Sequence, residues 1–313
     1  MPEYEYTFTV FTPTFNRAHT LHRGYQSLCA QTFRDFEWLV VDDGSTDSTP
    51  ELIQEWQQKA NYPIQYIRQE NLGKHTAINR AAQAARGELF LFLDSDDAYV
   101  PNAFERYKYH WDTIPGEQKH QFSAVSSLTI DPQGRVIGSR FPYDPTDSDS
   151  LEIRYKYKVT GEKRGFHRTD VVREFPLPRF ENEKIAIDSL LWNRIALKYK
   201  TRYVNEALMI YYPTPNNMGA RRFISRARNP RGARQYYWEL IGCGYPFSPA
   251  ALIKEYANYV RFSIHAGVPI RDILQDAPSQ VYCLAAFPLG WAVYRRDLFD
   301  LKATEAQQKK SEA

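Results

Sequence analysis

One pattern constrains this chain more than any other. In its first hundred residues, apolar runs of strand length each stop in a polar cluster, and segments with helical spacing separate them. Residues 6–12 are β-rich and alternate, and residues 19–30 place Leu21, Tyr25, Leu28 and Cys29 on one helical face. The run 36–41 ends abruptly in Asp42 and Asp43. Leu52, Ile53 and Trp56 then fit a helix opened by the Ser/Thr/Asp cluster at 45–49 and by Pro50. Residues 63–68 read as a third strand. Ala77, Ile78, Ala81, Ala82 and Ala85 mark a third helix, stopped by Gly87, and the run 89–93 breaks into Asp94-Ser95-Asp96-Asp97. A β-α-β-α-β-α-β rhythm predicts an α/β fold with a parallel sheet covered by helices on both sides. In such sheets ligands bind beyond the carboxyl ends of the strands. Three polar clusters, at 12–17, 42–47 and 94–97, fall at those ends and point to one crevice.

The remainder is less regular. Residues 122–130 read as a strand, followed by a turn at 131–134 and a partner strand at 135–138, and 144–150 as a loop. Residues 188–199 and 249–266 have helical spacing, and 202–212 strand character. The chain has 313 residues, 43% apolar and 25% charged, enough for a substantial core. A net charge of +3 does not call for nucleic acid as a partner. Cys29, Cys243 and Cys283 are far apart and odd in number, which fits a reducing compartment and no disulfide framework. The first ten residues lack the basic-then-apolar order of a signal peptide. With no apolar stretch of about 20 residues, no membrane-spanning helix is expected.

The chemistry concentrates in the polar turns. Two carboxylates one residue apart, Asp94 and Asp96, suit a hard divalent cation, Mn²⁺ or Mg²⁺, which takes oxygen ligands and commonly uses one or two carboxylates plus substrate phosphates. The plainer explanation is a solvated acidic turn, and the sheet context tips the balance toward the metal. In the 42–47 turn one carboxylate can accept the imide N–H of uracil or thymine, or the donors of guanine, while Ser45 or Asp47 caps the following helix. The 12–17 turn can hold a ribose through backbone groups and a phosphate through Arg17.

Together these residues resemble the family 2, GT-A-fold glycosyltransferases. The likeness runs through Thr12-Pro13-Thr14-Phe15-Asn16-Arg17, Gln31-Thr32-Phe33 and Val40-Val41-Asp42-Asp43-Gly44-Ser45-Thr46-Asp47. It continues through Asn71-Leu72-Gly73-Lys74, Asn79, Ala85-Arg86-Gly87-Glu88 and Leu93-Asp94-Ser95-Asp96-Asp97. It is close over about the first 110 residues and loose beyond. The resemblance implies a GT-A, Rossmann-like, mainly parallel sheet flanked by helices, with a mixed acceptor-side region and a helical C-terminal extension. It further implies a nucleotide-sugar-binding half at 1–110, an acceptor-binding and catalytic half at 111–215, and a basic loop with helical extension at 216–313. By family pattern Asp43 contacts the base, with Thr12, Pro13 and Arg17 nearby. Asp94 and Ser95 lie near the ribose, Asp96 ligates the metal with Asp94 beside it, and Lys74 approaches the diphosphate. The implied activity is inverting transfer from a nucleoside-diphosphate sugar, UDP-linked by default, to a saccharide or lipid-linked saccharide. Relatives of this kind build bacterial surface polysaccharide or lipopolysaccharide on the cytoplasmic side.

Inverting transfer needs a carboxylate that deprotonates the acceptor hydroxyl. The segment Glu183-Lys184-Ile185-Ala186-Ile187-Asp188 fits the family's base region, with Asp188 in the catalytic position and Glu183 as the fallback. Asp188 as a plain helix cap is the alternative. His167 borders the acceptor region, where it either bonds acceptor or donor or serves the structure alone. The acid-free segment from Arg221 to Arg234 reads three ways: a loop closing on diphosphate, a face for anionic lipid or a lipid-diphosphate acceptor, or a solvated basic surface. Residues 281–294 are apolar and flanked by Arg295 and Arg296, which suits a buried helix or peripheral membrane contact. A sugar-nucleotide pyrophosphorylase or a dinucleotide-dependent dehydrogenase would need a glycine-rich turn after the first strand, and no glycine lies between Thr12 and His22. A non-catalytic sugar-nucleotide binder would have no need to retain Asp94, Asp96 and Asp188 together.

Overall fold

The computed structural model describes residues 3–213 and 222–311, with the side chains of 222, 223 and 303–311 left out. The opening alternation is present throughout: β1 (Tyr6–Thr14), α1 (Ala18–Cys29), β2 (Phe36–Asp42), α2 (Thr49–Lys59), β3 (Ile64–Arg68), α3 (Lys74–Ala84) and β4 (Gly87–Phe92). The continuous apolar runs are central strands. β2 is buried along its whole length, and β1 lies between β2 and β4 with parallel register on both sides. There follow β5 (Ala98–Tyr99), α4 (Ala103–Asp112), β6 (Phe122–Ile130), β7 (Thr146–Ser148), α5 (Ser150–Tyr155), β8 (Lys163–Arg168), α6 (Thr169–Glu174), α7 (Ser189–Ala196) and β9 (Lys200–Ile210). The sheet runs β3-β2-β1-β4-β8-β6-β9-β5, with β7 on β9. Its β3-β2-β1-β4 half is parallel. Antiparallel pairing of β8 with β4 and with β6 makes the sheet as a whole mixed.

Two expectations change in the second half. Residues 135–138 form no strand and make a single bridge, Ile130 to Val136, because β6 already has β8 on one edge and β9 on the other. The stretch expected as loop at 144–150 contains β7. Its register sets Asp147 opposite Arg202, and the guanidinium clamps that carboxylate at 2.8 and 2.7 Å.

Aromatic residues fill the core of this sheet. Phe8 meets Phe104 and Phe166 at centroid distances of 5.5 and 5.9 Å, and Tyr25 stacks on Trp56 at 4.4 Å. Fully burying side chains of this size stabilises by about 1.5–3 kcal/mol each.

The chain divides into two compact units. One comprises Met1–Leu177 with Leu191–Pro213 and holds the entire sheet. The other comprises Pro178–Leu190 with Thr214–Ala313. The second unit is helical: α8 (Arg222–Arg228), α9 (Pro230–Gly242), α10 (Pro249–His265), α11 (Ile270–Asp276) and α12 (Gln280–Ser311). Its Pro178–Leu190 segment is tied in by backbone bonds. Asn229 Oδ1 accepts from the N–H groups of Lys184 and Ile185 at 2.9 and 3.2 Å.

Candidate active site

The strand order makes a switch point. From β1 the chain moves outward to β2 and β3, then returns to place β4 on the other side of β1. A crevice opens beyond the carboxyl ends at such a reversal. The three polar turns lie there, and side chains stitch two of them together. Asn16, with φ of 53°, accepts at Oδ1 from the N–H of Thr46 at 2.8 Å and of Asp47 at 3.3 Å, and its own N–H donates to Ser45 Oγ at 2.9 Å. Asp47 serves two helices, accepting from Ala18 N at 3.1 Å and from Thr49 N and Oγ1 at 3.1 and 2.6 Å. Burial opposes its ionisation, but these donors outweigh burial and hold its pKa below the usual carboxylate value.

Asp43 is buried at the end of β2 and faces inward across the turn. Its Oδ1 accepts from Gln69 Nε2 at 2.8 Å and Leu72 N at 2.9 Å, and its Oδ2 from Gly73 N at 2.8 Å. A carboxylate has about four lone-pair sites, so one remains for a further donor. Gly73 has φ of 96° and ψ of 158°, backbone that only glycine adopts readily. This lets the chain turn into α3 with Lys74 leading. Thr12 is buried, and its hydroxyl accepts from Trp38 Nε1 at 2.9 Å. Pro13 is half-buried in β1, in register with Val41.

The turn after β4 is a dense charge cluster. Asp94 receives Lys74 Nζ on Oδ1 at 2.8 Å and Arg164 Nη2 on Oδ2 at 2.6 Å. Burial works against the charge, yet the two cations and Arg17 hold its pKa well below the ordinary range. Asp96 stands apart from them. Its carboxylate faces Arg17 at 3.8 Å, Arg23 donates to its backbone carbonyl at 3.2 Å, and burial followed by the neighbouring Asp94 raises its pKa. Asp97 is buried and receives Tyr212 N at 3.1 Å. Burial, then Asp94, pushes its pKa up to about 8. Ser95 is half-buried between them.

This donor set bears on a metal. Among the described residues no group of three or more His, Cys, Asp or Glu converges as a closed cage. Mg²⁺ and Mn²⁺ do not need one, because a single carboxylate with substrate phosphates and water suffices. Asp96 fits that use: half-buried, raised in pKa by its surroundings, and spared the direct ion pairs that engage Asp94. Asp94 accepts Lys74 on one oxygen and Arg164 on the other, so a metal beside it would share its carboxylate with two cations already in place.

Other expected residues fall differently. His167, on β8, stacks on Trp192 with centroids 4.6 Å apart and planes 15° apart. Burial brings its pKa down to about 3, so it is a neutral, packed ring. Glu183 belongs to the helical unit, where its carboxylate accepts from Arg231 N at 2.7 Å and Gly232 N at 2.9 Å and so caps the first turn of α9. Each oxygen is engaged by a backbone N–H of α9. Asp188 is half-buried and directly precedes α7.

Arg221 lies outside the described residues, as does the side chain of Arg222. Within the basic stretch Arg226 bonds Tyr237 Oη at 2.9 Å, and Arg234 bonds Asp276 at 2.6 Å and Tyr259 Oη at 3.3 Å. A hollow of about 260 Å³ lined by Phe180, Arg231, Arg234 and Gln235 lies there, remote in kind from carboxylate chemistry, with Arg234 spent on Asp276.

Two residues escaped sequence reading, Arg164 and Gln69. Neither sits in a motif, and only the pairing of β8 with β4 and the fold of the 69–73 turn reveal their partners.

A parallel half-sheet with carboxylates at the switch point defines an α/β protein built to hold a polar, nucleotide-like ligand. Comparison with known proteins makes this specific: the family model for Glycosyl transferase family 2 matches residues 9–115. An uncharacterized glycosyltransferase of Mycoplasma pneumoniae is 33% identical over 226 residues, covering 69% of this chain and 71% of the relative. The chain belongs to glycosyl transferase family 2. An uncharacterized glycosyltransferase of Nostoc is 36% identical over 123 residues, and the match spans 38% of its length. A Campylobacter jejuni protein named GalNAc(5)-diNAcBac-PP-undecaprenol beta-1,3-glucosyltransferase is 28% identical over 210 residues, 65% of this chain and 63% of that one. The fold resembles Staphylococcus aureus TarS residues 1–349 in complex with UDP-GlcNAc, with TM-score 0.60 and 18% identity over 93% of this chain and 92% of that one. It also resembles the Pyrobaculum calidifontis mannosyltransferase PcManGT in complex with GDP-Man and Mn²⁺, with TM-score 0.55 and 19% identity over 96% and 84%.

Proposed function

We propose that this chain is an inverting glycosyltransferase that moves a sugar from a UDP-sugar to a hydroxyl of a saccharide or lipid-linked saccharide, in the assembly of bacterial surface polysaccharide on the cytoplasmic side of the membrane. The observation that carries the reading is the meeting of Asp43, Arg17, Lys74 and the Asp94–Asp96 pair beyond the ends of four adjacent strands. Family membership supports transfer as the reaction class. The undecaprenol-linked name of the Campylobacter relative supports a lipid-linked acceptor, and the UDP-GlcNAc of the TarS complex supports the donor.

Each residue then has a task. Asp43 takes the imide N–H of uracil on its remaining lone pair, with Thr12 and Pro13 lining that position through the backbone. Arg17 and Lys74 face the diphosphate. Arg164 keeps Asp94 oriented, so Asp94 retains one fixed cation even as Lys74 turns to phosphate. Asp94 and Ser95 lie beside the ribose. Asp96 would hold Mn²⁺ or Mg²⁺, which when bound offsets the charge gathering on the departing nucleoside diphosphate. Asp188 accepts the acceptor hydroxyl proton. As that oxygen bonds to the anomeric carbon, the bond from that carbon to the diphosphate oxygen breaks, and the configuration inverts.

A thermal-shift panel of UDP, GDP, TDP and CMP, each with and without Mn²⁺, tests the reading, since a ligand of the folded state raises its stability. UDP with Mn²⁺ is expected to give the largest rise. A larger rise with GDP overturns the donor, and no response to any nucleotide overturns the site.

A further inference from the structure

The helix α12 has two unlike faces. Cys283, Ala286 and Asp297 are buried, and Gly290 lies so close to α10 that a Cβ there would come within 2.6 Å of the Ala257 carbonyl oxygen. Spacings of three, four and seven residues put these four on one stripe, turned inward. On the other side Val281, Leu284, Trp291 and Phe299 are 75, 57, 50 and 75% exposed. Single exposed apolar residues need no explanation, but an aligned row does.

Charge selects what covers the row. From Gln280 to Arg296 the helix carries no Asp or Glu, and it ends that stretch in Arg295-Arg296. The Arg295 guanidinium lies 5.4 Å from the centre of the Trp291 ring. Among the described residues Arg296 has an exposed contact with Asp300 at 3.8 Å, a weak competitor for a stronger anion. A second copy packed on this face would bring no carboxylate from the same stretch to meet the arginines, whereas an anionic lipid surface supplies phosphates beside an apolar layer. Tryptophan next to arginine on an apolar helix face suits the headgroup boundary, where the ring enters the acyl edge and the guanidinium meets phosphate. No helix among the described residues is long and apolar enough to cross a membrane, so the geometry is that of a helix lying in the surface.

We propose that α12 docks the protein on an anionic phospholipid surface, with Val281, Leu284, Trp291 and Phe299 below the headgroups and Arg295 and Arg296 on lipid phosphates. This deepens the membrane-side part of the proposed function and depends on no part of the donor chemistry.

The test is flotation of the full chain with vesicles of phosphatidylcholine alone and of phosphatidylcholine mixed with phosphatidylglycerol. Wild type should float with the anionic vesicles, and raised salt should weaken the association. The variant Leu284→Ser/Trp291→Ser/Phe299→Ser should lose partitioning by at least about tenfold for each side chain that was fully buried in lipid. These residues are exposed, so its thermal midpoint and its UDP binding should match wild type. Arg295→Gln/Arg296→Gln provides a second variant with the apolar row intact, expected to float no better with anionic than with neutral vesicles. Equal flotation of wild type and the triple variant overturns the proposal, as does wild type that stays with the soluble fraction. A wild-type dimer that the triple variant dissociates, without vesicle binding, assigns the face to a second copy and overturns it too. UDP binding retained in any of these outcomes leaves the transferase reading standing.

Discussion

At the scale of single residues, three carboxylates in similar sequence settings have different work. Sequence alone offers Asp188 and Asp47 as helix caps and Glu183 as a fallback base. Glu183 spends both oxygens on the first turn of α9, and Asp47 divides its own between α1 and α2. Steady-state kinetics therefore should separate Asp188 from Glu183. Asp188→Asn is expected to lower kcat at least about a hundredfold with the donor KM nearly unchanged, the usual weight of a general base. Glu183→Gln should keep kcat within a few-fold and cost about 1 kcal/mol of stability, the usual weight of a cap. Asp47→Ala removes donors' partners at two helix starts and should cost about 2 kcal/mol by urea denaturation. The motif Asp42-Asp43-Gly44-Ser45-Thr46-Asp47 was legible as a site because polar residues gathered at a strand end. Which of its acids turns inward was not, because Leu72, Gly73 and Gln69 come from another turn 26 to 30 residues further along.

At the scale of elements, α12 is held to α10 by one buried ion cluster. Asp297 accepts from Arg261 Nε and Nη2 at 2.5 and 2.6 Å and bonds His265 Nε2 at 2.9 Å. Burial raises its pKa, but His265 and Arg261 more than reverse that, so it lies below the ordinary 3.8. A depressed carboxylate pKa means that the unfolded state binds more protons in acid. The contribution is complete above the unfolded pKa and fades as pH falls through the folded one, in a window below about pH 4. Asp297→Asn leaves a buried guanidinium without its carboxylate and should cost about 3 kcal/mol at neutral pH. The variant's deficit should shrink when denaturation is repeated below pH 4. The apolar character of residues 281–294 was visible in sequence. Their division into an inward stripe and an outward row was not, since both are apolar and only the close approach at Gly290 tells them apart.

At the scale of the whole molecule, ligand binding and folding are linked by mass action. UDP with Mn²⁺ at about a hundred times its Kd should stabilise the folded state by about 2.7 kcal/mol. Asp96→Asn should abolish the Mn²⁺-dependent part of that gain and leave the metal-free response to UDP, measured as the shift in thermal midpoint. Loss of the response to UDP itself would instead mean that the aspartate supports the fold of the turn. The grouping of Pro178–Leu190 was beyond sequence reading. Segment Pro178–Leu190 carries no composition shift, yet it groups with the helical unit because Asn229 and the start of α9 bind its backbone and Glu183.

What the chain's order of residues determined is the alternation of strands and helices, the parallel half-sheet and the acidic turns at its strand ends. Those follow from periods of two and 3.6 residues and from where polar side chains interrupt apolar runs, all local in sequence. Tertiary structure alone decided which acids are free to act. Asp94 lies between Lys74 and Arg164, Asp96 faces Arg17 at 3.8 Å, Asp97 is buried on Tyr212, and His167 stacks on Trp192. The reason is physical: a carboxylate's charge, orientation and remaining lone pairs depend on donors brought from distant strands, and no local pattern records those meetings.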